Sequence, residues 1–210
     1  MGKIFRRQLA CKQPAQTQTS VKFGPVRLAF VHLNKPRKFD DRAADDTARY
    51  EAVALIPKTE KATLNAIGAA LEAAKQEGLS DKWGGRLPET WNRCVKDGDT
   101  GNYAEYEGFA GHFALSMSSR RRPEVFDLAK NDLTDDSEVY SGIWAMIDAN
   151  FFAFAAKVNK GISCGLNAVM KVADGPRMGG SGGGTESFDS YDFSDMASET
   201  EEAEEKYFDM

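Results

Sequence analysis

Residues 138–172 read EVYSGIWAMIDANFFAFAAKVNKGISCGLNAVMKV. Across residues 143–153 every second position is apolar (Ile143, Ala145, Ile147, Ala149, Phe151, Ala153), the period-2 pattern of a strand with one face in a core. The opposite face carries Trp144, Met146, Asp148, Asn150, Phe152 and Phe154, where a solvated face would show small polar or charged residues. A turn at residues 157–161 leads into a second alternating run. Ile162, Cys164, Leu166, Ala168, Met170 and Val172 take one side of it, and Ser163, Gly165, Asn167 and Lys171 the other. Together the runs predict a hairpin. A sheet face that mixes rings with bases suits unpaired nucleobases, which offer π-faces, and their phosphates. The same face would also serve beneath a helix or against a neighbouring subunit.

Upstream, residues 26–33 (VRLAFVHL) and 50–56 (YEAVALI) read as strands. The first runs into a basic turn, Lys35, Pro36, Arg37 and Lys38, then an acidic, Ala-rich connection over residues 40–48. Pro57 ends the second, because proline cannot continue a ladder inside a sheet. Residues 59–77 predict a helix capped by Thr59, with Leu64, Ile67, Leu71 and Ala74 on one face and Gly78 as its stop. Trp83 follows between Lys82 and Arg86, as a core plug or a stacking residue. Residues 109–118 alternate again, with Phe109, Phe113, Leu115 and Met117 facing one way, and end in Arg120, Arg121 and Arg122. Guanidinium forks on a loop grip phosphates bidentately or keep the loop soluble. Basic clusters at other predicted strand ends (35–38, 82–86, 157–160) favour phosphate.

The chain has 210 residues, 41% of them hydrophobic and 28% charged, room for one medium domain and a tail. Its net charge of −5 hides an asymmetry. Residues 179–210 hold ten acids against Lys206 alone, a net −9, which leaves 26 bases against 22 acids elsewhere, a net +4. The sequence GGSGGG at 179–184 reads as a flexible linker. It is no phosphate loop, since no Gly-Lys-Ser/Thr follows. The acidic tail carries Tyr207, Phe208 and Asp209 close to its end, suited to mimic nucleic acid or to present rings to partner proteins. The first 20 residues are polar and mildly basic, an arm without periodicity. No apolar run reaches the roughly 20 residues of a membrane span, and the N-terminus lacks a signal-like segment, so a cytoplasmic protein is expected. Cys11, Cys94 and Cys164 are far apart and read as buried or incidental thiols.

Catalytic patterns are absent. His32 and His112 are the only histidines, and no nucleophile elbow, zinc motif or phosphate loop occurs. Asp97–Gly108 begins like a calcium loop but lacks its sixth-position glycine and twelfth-position glutamate; it reads as a solvated acidic turn. Asp40, Asp41, Asp45 and Asp46 would be the magnesium ligands of a nuclease, but they lie in an irregular connection.

The segments RLAFVHLNKPRKF (27–39), YEAVALIPK (50–58), KWGGRLP (82–88), GFAGHFALSMSSRRRP (108–123) and the 138–172 hairpin resemble the single-stranded DNA-binding proteins of tailed bacteriophages. The resemblance covers about 150 residues, with the WGG loop and the VYSG strand entry its most specific parts. It implies an OB-fold barrel that coats single strands in phage replication, recombination and repair, and an acidic tail that competes with DNA or recruits replication proteins. Two departures stand out. The chain ends Tyr207, Phe208, Asp209, Met210 rather than in Phe, and its helix follows two strands rather than three.

The expectation is a mainly β protein: a five-stranded OB-type barrel with one helix over residues 21–178, a basic arm over 1–20, and a Gly-rich linker with a disordered acidic tail over 179–210. Bases would stack on Trp144, Phe152, Phe154, Tyr50, Phe30 and Trp83. Phosphates would meet Arg37, Lys38, Arg86, Arg120, Arg121, Arg122, Lys157, Lys160 and Lys171. The expected partners are single-stranded DNA, duplex DNA more weakly, replication or recombination proteins at the tail, and copies of the chain. No cofactor, metal or membrane is expected, and the setting is the cytoplasm of an infected bacterium. The rival reading is an adaptor that uses its aromatic sheet face for a protein partner.

Overall fold

A computed structural model describes residues 19–38, 47–156 and 159–178. Residues 1–18, 39–46, 157–158 and 179–210, which include Lys157, lie outside the described residues. The described elements run β1 (Ser20–Arg37), β2 (Arg49–Pro57), α1 (Lys61–Asp81), β3 (Asn92–Arg93), β4 (Val95–Asp97), β5 (His112–Ser119), β6 (Glu124–Phe126), β7 (Trp144–Ala155) and β8 (Lys160–Ala173).

Five strands close a barrel. β1 pairs antiparallel with β2 and β7, β2 with β5, and β7 with β8. A parallel pairing of Ser118 with Gly165 joins β5 to β8 and completes the ring. This is the expected OB connectivity. On the other side of β8, a Cβ on Gly165 would lie 2.6 Å from Asn150 Oδ1 of β7. Away from the joint β3 pairs with β8 and β4 with β5, so residues 92–97 wedge between the two barrel strands.

The alternation of β7 holds: Ala145, Ile147, Ala149 and Phe151 are buried while Trp144 and Phe152 face out. In β8 it breaks. Asp148 faces Ala168 but Ala149 faces Leu166, which leaves Asn167 as an extra residue, a bulge that transfers burial from the expected Ala168 and Met170 to Val169. β1 is far longer than residues 26–33, because one strand serves two neighbours. Its first half pairs with β7 and its second with β2, with register shifts after Phe23 and Ala29 that interrupt the pattern in sequence.

The helix does lie between the second and third barrel strands, so the departure from the simplest order is real. Ile67, Ala70, Ala74 and Gly78 form its buried stripe, set mainly against β7, while Leu64 and Leu71 flank it. Two expectations about its ends are corrected. Glu60 occupies the N-cap position without a side-chain hydrogen bond, and the helix continues through Gly78 to Asp81. Gly78 is needed for contact rather than for termination, since a Cβ there would meet Ala153 Cβ at 2.5 Å and the Trp83 ring at 3.0 Å. Phe109 is also displaced: it sits in the turn before β5 and packs on the outer side of the barrel with Ala29, Val53, Leu55 and Ala114.

Candidate nucleic-acid interface

Alternation sends Trp144 outward, and the register of β1 against β7 sets Arg27 directly beside it. Trp144 keeps 37% of its surface exposed. The Arg27 guanidinium donates from Nη2 to the Pro176 carbonyl at 2.9 Å, and its buried Nε has no partner. No carboxylate neutralises it among the described residues. Three residues on, Phe30 adopts φ 50, an uncommon conformation for a bulky side chain, within the register shift that ends the pairing of Ala29.

The outer side of β1, β2 and β5 carries an aromatic cluster delivered by the loop between β4 and β5. Tyr106 meets Phe30 edge-to-face at 5.1 Å, Tyr103 stacks on Phe109 at 5.1 Å, and Lys96 lies 5.6 Å from the Tyr103 ring centre. Tyr106 is 47% exposed. Acids anchor this loop. Lys58 Nζ donates at 2.6 Å to Asp97 and Asp99, Asp97 Oδ1 accepts the Asp99 amide, and Asp99 Oδ1 accepts the Gly111 amide. The Lys58 bonds hold both carboxyls below the ordinary 3.8, and the same bonds raise the ammonium above 10.5. The acidic turn of the sequence is thus the clamp of an aromatic loop, with Asp97 and Asp99 already engaged. His112 donates from Nδ1 to the Ala110 carbonyl at 2.7 Å, a structural role.

Trp144, Arg27, Phe30, Tyr106, Tyr103 and Lys96 form one band of rings and cations across the outer face. Of the expected stacking residues, Trp144 and Phe30 join it. Phe152, 43% exposed, stands eight residues along β7 from Trp144, about 26 Å at the rise of a strand, so the two do not share a platform. Phe154 is half-buried near that distal end. Tyr50 is half-buried at the start of β2, across from Ser119. Trp83 is a correction: it is 7% exposed and its indole N–H donates to the Phe154 carbonyl at 3.2 Å. A ring enclosed between helix and sheet has no face to offer a base.

The expected phosphate ligands divide similarly. Arg86, Arg120, Arg121 and Lys160 are exposed and have no carboxylate partner among the described residues. Arg37 pairs with Glu51 at 3.4 Å, and Lys38 is half-buried at the edge of the described segment. Arg122 is a correction, because its guanidinium is already satisfied by Asp132 at 3.1 Å, Asn34 Oδ1 at 3.0 Å and the Leu133 carbonyl at 2.8 Å. Lys171 pairs with Asp174 at 2.8 Å beside Tyr140, with 14% of its side chain exposed. Lys157, Tyr207, Phe208 and Asp209 lie outside the described residues. Sequence reasoning missed Arg27, Lys96, Tyr103 and Tyr106. Rings three apart in an acidic turn were the available signal for the tyrosines; nothing local marked Arg27.

Burial pushes the Cys94 thiol up to about 11 and raises that of Cys164 well above its ordinary value, so neither offers a ready thiolate. No described helix is long and apolar enough to cross a membrane.

The family described as Enterobacter phage Enc34, ssDNA-binding protein, matches residues 19–203. Protein p50 of Acyrthosiphon pisum secondary endosymbiont phage 1 is 31% identical over 191 residues, spanning 86% of this chain and 97% of that one. Among solved structures, the single-stranded DNA-binding protein of bacteriophage Enc34 in complex with ssDNA superposes with TM-score 0.66 at 23% identity, covering 79% of this chain and 97% of the other. The single-stranded DNA-binding protein of bacteriophage T7 gives TM-score 0.52 at 11% identity over 84% and 96% of the two chains. Likeness at these identities carries the fold.

Proposed function

This chain belongs to the Enterobacter phage Enc34 ssDNA-binding protein family, and from that premise we propose that it binds single-stranded DNA without sequence preference, coating the strand during phage replication and recombination. One observation carries the reading beyond family membership: rings share the band with two unneutralised cations, Arg27 beside Trp144 at one end and Lys96 against Tyr103 at the other, with Phe30 and Tyr106 between them. Bases of any identity stack on rings, and the cations answer the phosphates between them. Nothing in such a band reads base edges, so sequence preference is not built in. Arg86, Arg120, Arg121 and Lys160 supply further phosphate contacts, and Phe152 stacks a base farther along the strand.

On the same reading residues 21–178 are the DNA-binding domain, residues 1–20 a basic arm, and 179–210 a linker and tail that recruits replication or recombination proteins through Tyr207, Phe208 and Asp209. The protein works in the cytoplasm of the infected host. Gel retardation tests this directly, with labelled single strand, duplex and single strand plus magnesium. Retardation of the single strand at low salt, weaker retardation of duplex and intact oligonucleotide in magnesium are expected. An adaptor would retard nothing, and a nuclease would shorten the strand.

A further inference from the structure

Between α1 and the wedge of β3 and β4 lies a groove of about 540 Å³, within the size range of small-ligand pockets. Trp91 and Phe113 give it two half-buried rings, and Arg93, Lys96 and Lys75 give it three cations. Its acids are already engaged. Glu72 accepts Lys75 at 3.0 Å and Gln76 at 2.8 Å, and Asp97 accepts Lys58 at 2.6 Å. Those pairs also neutralise Lys75. Arg93 by contrast rests over the Trp91 ring at 4.8 Å and Lys96 over Tyr103 at 5.6 Å, with no carboxylate against either among the described residues. Two rings therefore share one concave site with two unneutralised cations, the complement of a flat base joined to a phosphate. Lys96 belongs to both this groove and the outer band, which makes the groove a continuation of the band around the edge of β4.

We infer that the groove takes one nucleotide of the bound strand, its base against Trp91 and its phosphate at Arg93. The inference rests on the single-strand-binding reading. The test uses the full chain and oligo-dT carrying one 4-thiothymidine at each position in turn, photocrosslinked and mapped by peptide mass spectrometry. Crosslinks to the peptide containing Trp91 are expected, besides those that reach Trp144 and Tyr106. Arg93→Gln should weaken the Trp91 crosslink, spare the other two, and make the slope of log affinity against log salt shallower by about 0.7, one single-strand phosphate contact. Crosslinks at Trp144 and Tyr106 with none at Trp91, and an unchanged slope, would overturn the groove and leave strand binding standing. An oligonucleotide that neither binds nor crosslinks would overturn both.

Discussion

Replacing Trp144 by alanine removes the ring at one end of the band while leaving the barrel interior untouched. With 37% of Trp144 exposed out of the roughly 250 Å² a tryptophan offers, about 90 Å² remains for a base to cover. At 25 cal/mol/Å² that is about 2 kcal/mol, within the range measured for base stacking and equivalent to about a 30-fold rise in Kd. Phe152, 43% exposed, gives a similar figure of about 2 kcal/mol on a somewhat smaller ring. Because the two rings stand about 26 Å apart along β7, their losses should add within about 0.5 kcal/mol on a strand long enough to reach both. A trinucleotide should feel one ring at a time. The assay is fluorescence anisotropy of labelled dodecameric and trimeric oligo-dT at fixed salt, with calorimetry to confirm that Tm is unchanged. A Trp144→Ala protein that keeps its Tm and binds the dodecamer within threefold of the parent would refute the band as a base platform.

Gly78→Ala should destabilise the domain although alanine is the better helix former. The propensity gain of about 1 kcal/mol is outweighed by overpacking of about 1–3 kcal/mol against Ala153 and Trp83, and the melting temperature should fall by a few degrees. Arg122→Met should cost about 1–3 kcal/mol by leaving the Asn34 and Leu133 oxygens unpaired. Arg120→Gln and Arg121→Gln should instead keep the melting temperature and each reduce the salt slope by about 0.7; the opposite pattern would return Arg122 to the phosphate ligands. The Lys58 clamp should be indifferent to pH between about 5 and 9. Asp97 and Asp99 titrate below 3.8 in the folded chain, so their contribution is present above that value and lost as pH falls through the lowered one. Lys58 titrates above 10.5, so its contribution is present below that value and lost as pH rises through the raised one. Limited proteolysis of residues 98–111 checks this, and loosening near neutral pH would contradict it. Lys58→Met should loosen the loop at every pH.

Much of the architecture could be read from local pattern. Period 2 places the inner and outer residues of β7, and period 3–4 places Ile67 and Ala74 in the buried stripe of α1 while setting Leu64 and Leu71 at its flank, because each depends on the geometry of a single element. Patterns failed where the chain breaks its own period. The shifts in β1 after Phe23 and Ala29 and the extra residue at Asn167 in β8 are pairing events, and a strand read alone does not reveal what it pairs with. The same limit explains Gly78, whose missing side chain resembles a helix stop until Ala153 is placed against it.

By itself the sequence determined that a barrel strand turns Trp144 and Phe152 outward, that a basic body precedes an acidic tail, and that the segments resemble phage single-strand binders. Only the tertiary structure brought Arg27 beside Trp144 and folded Tyr103 and Tyr106 toward Phe30. It alone enclosed Trp83 and committed Arg122 to Asp132. The reason is physical: side-chain direction follows from local backbone geometry, whereas a ring's exposure and a cation's availability depend on neighbours distant in the chain, which only the closed barrel brings into contact.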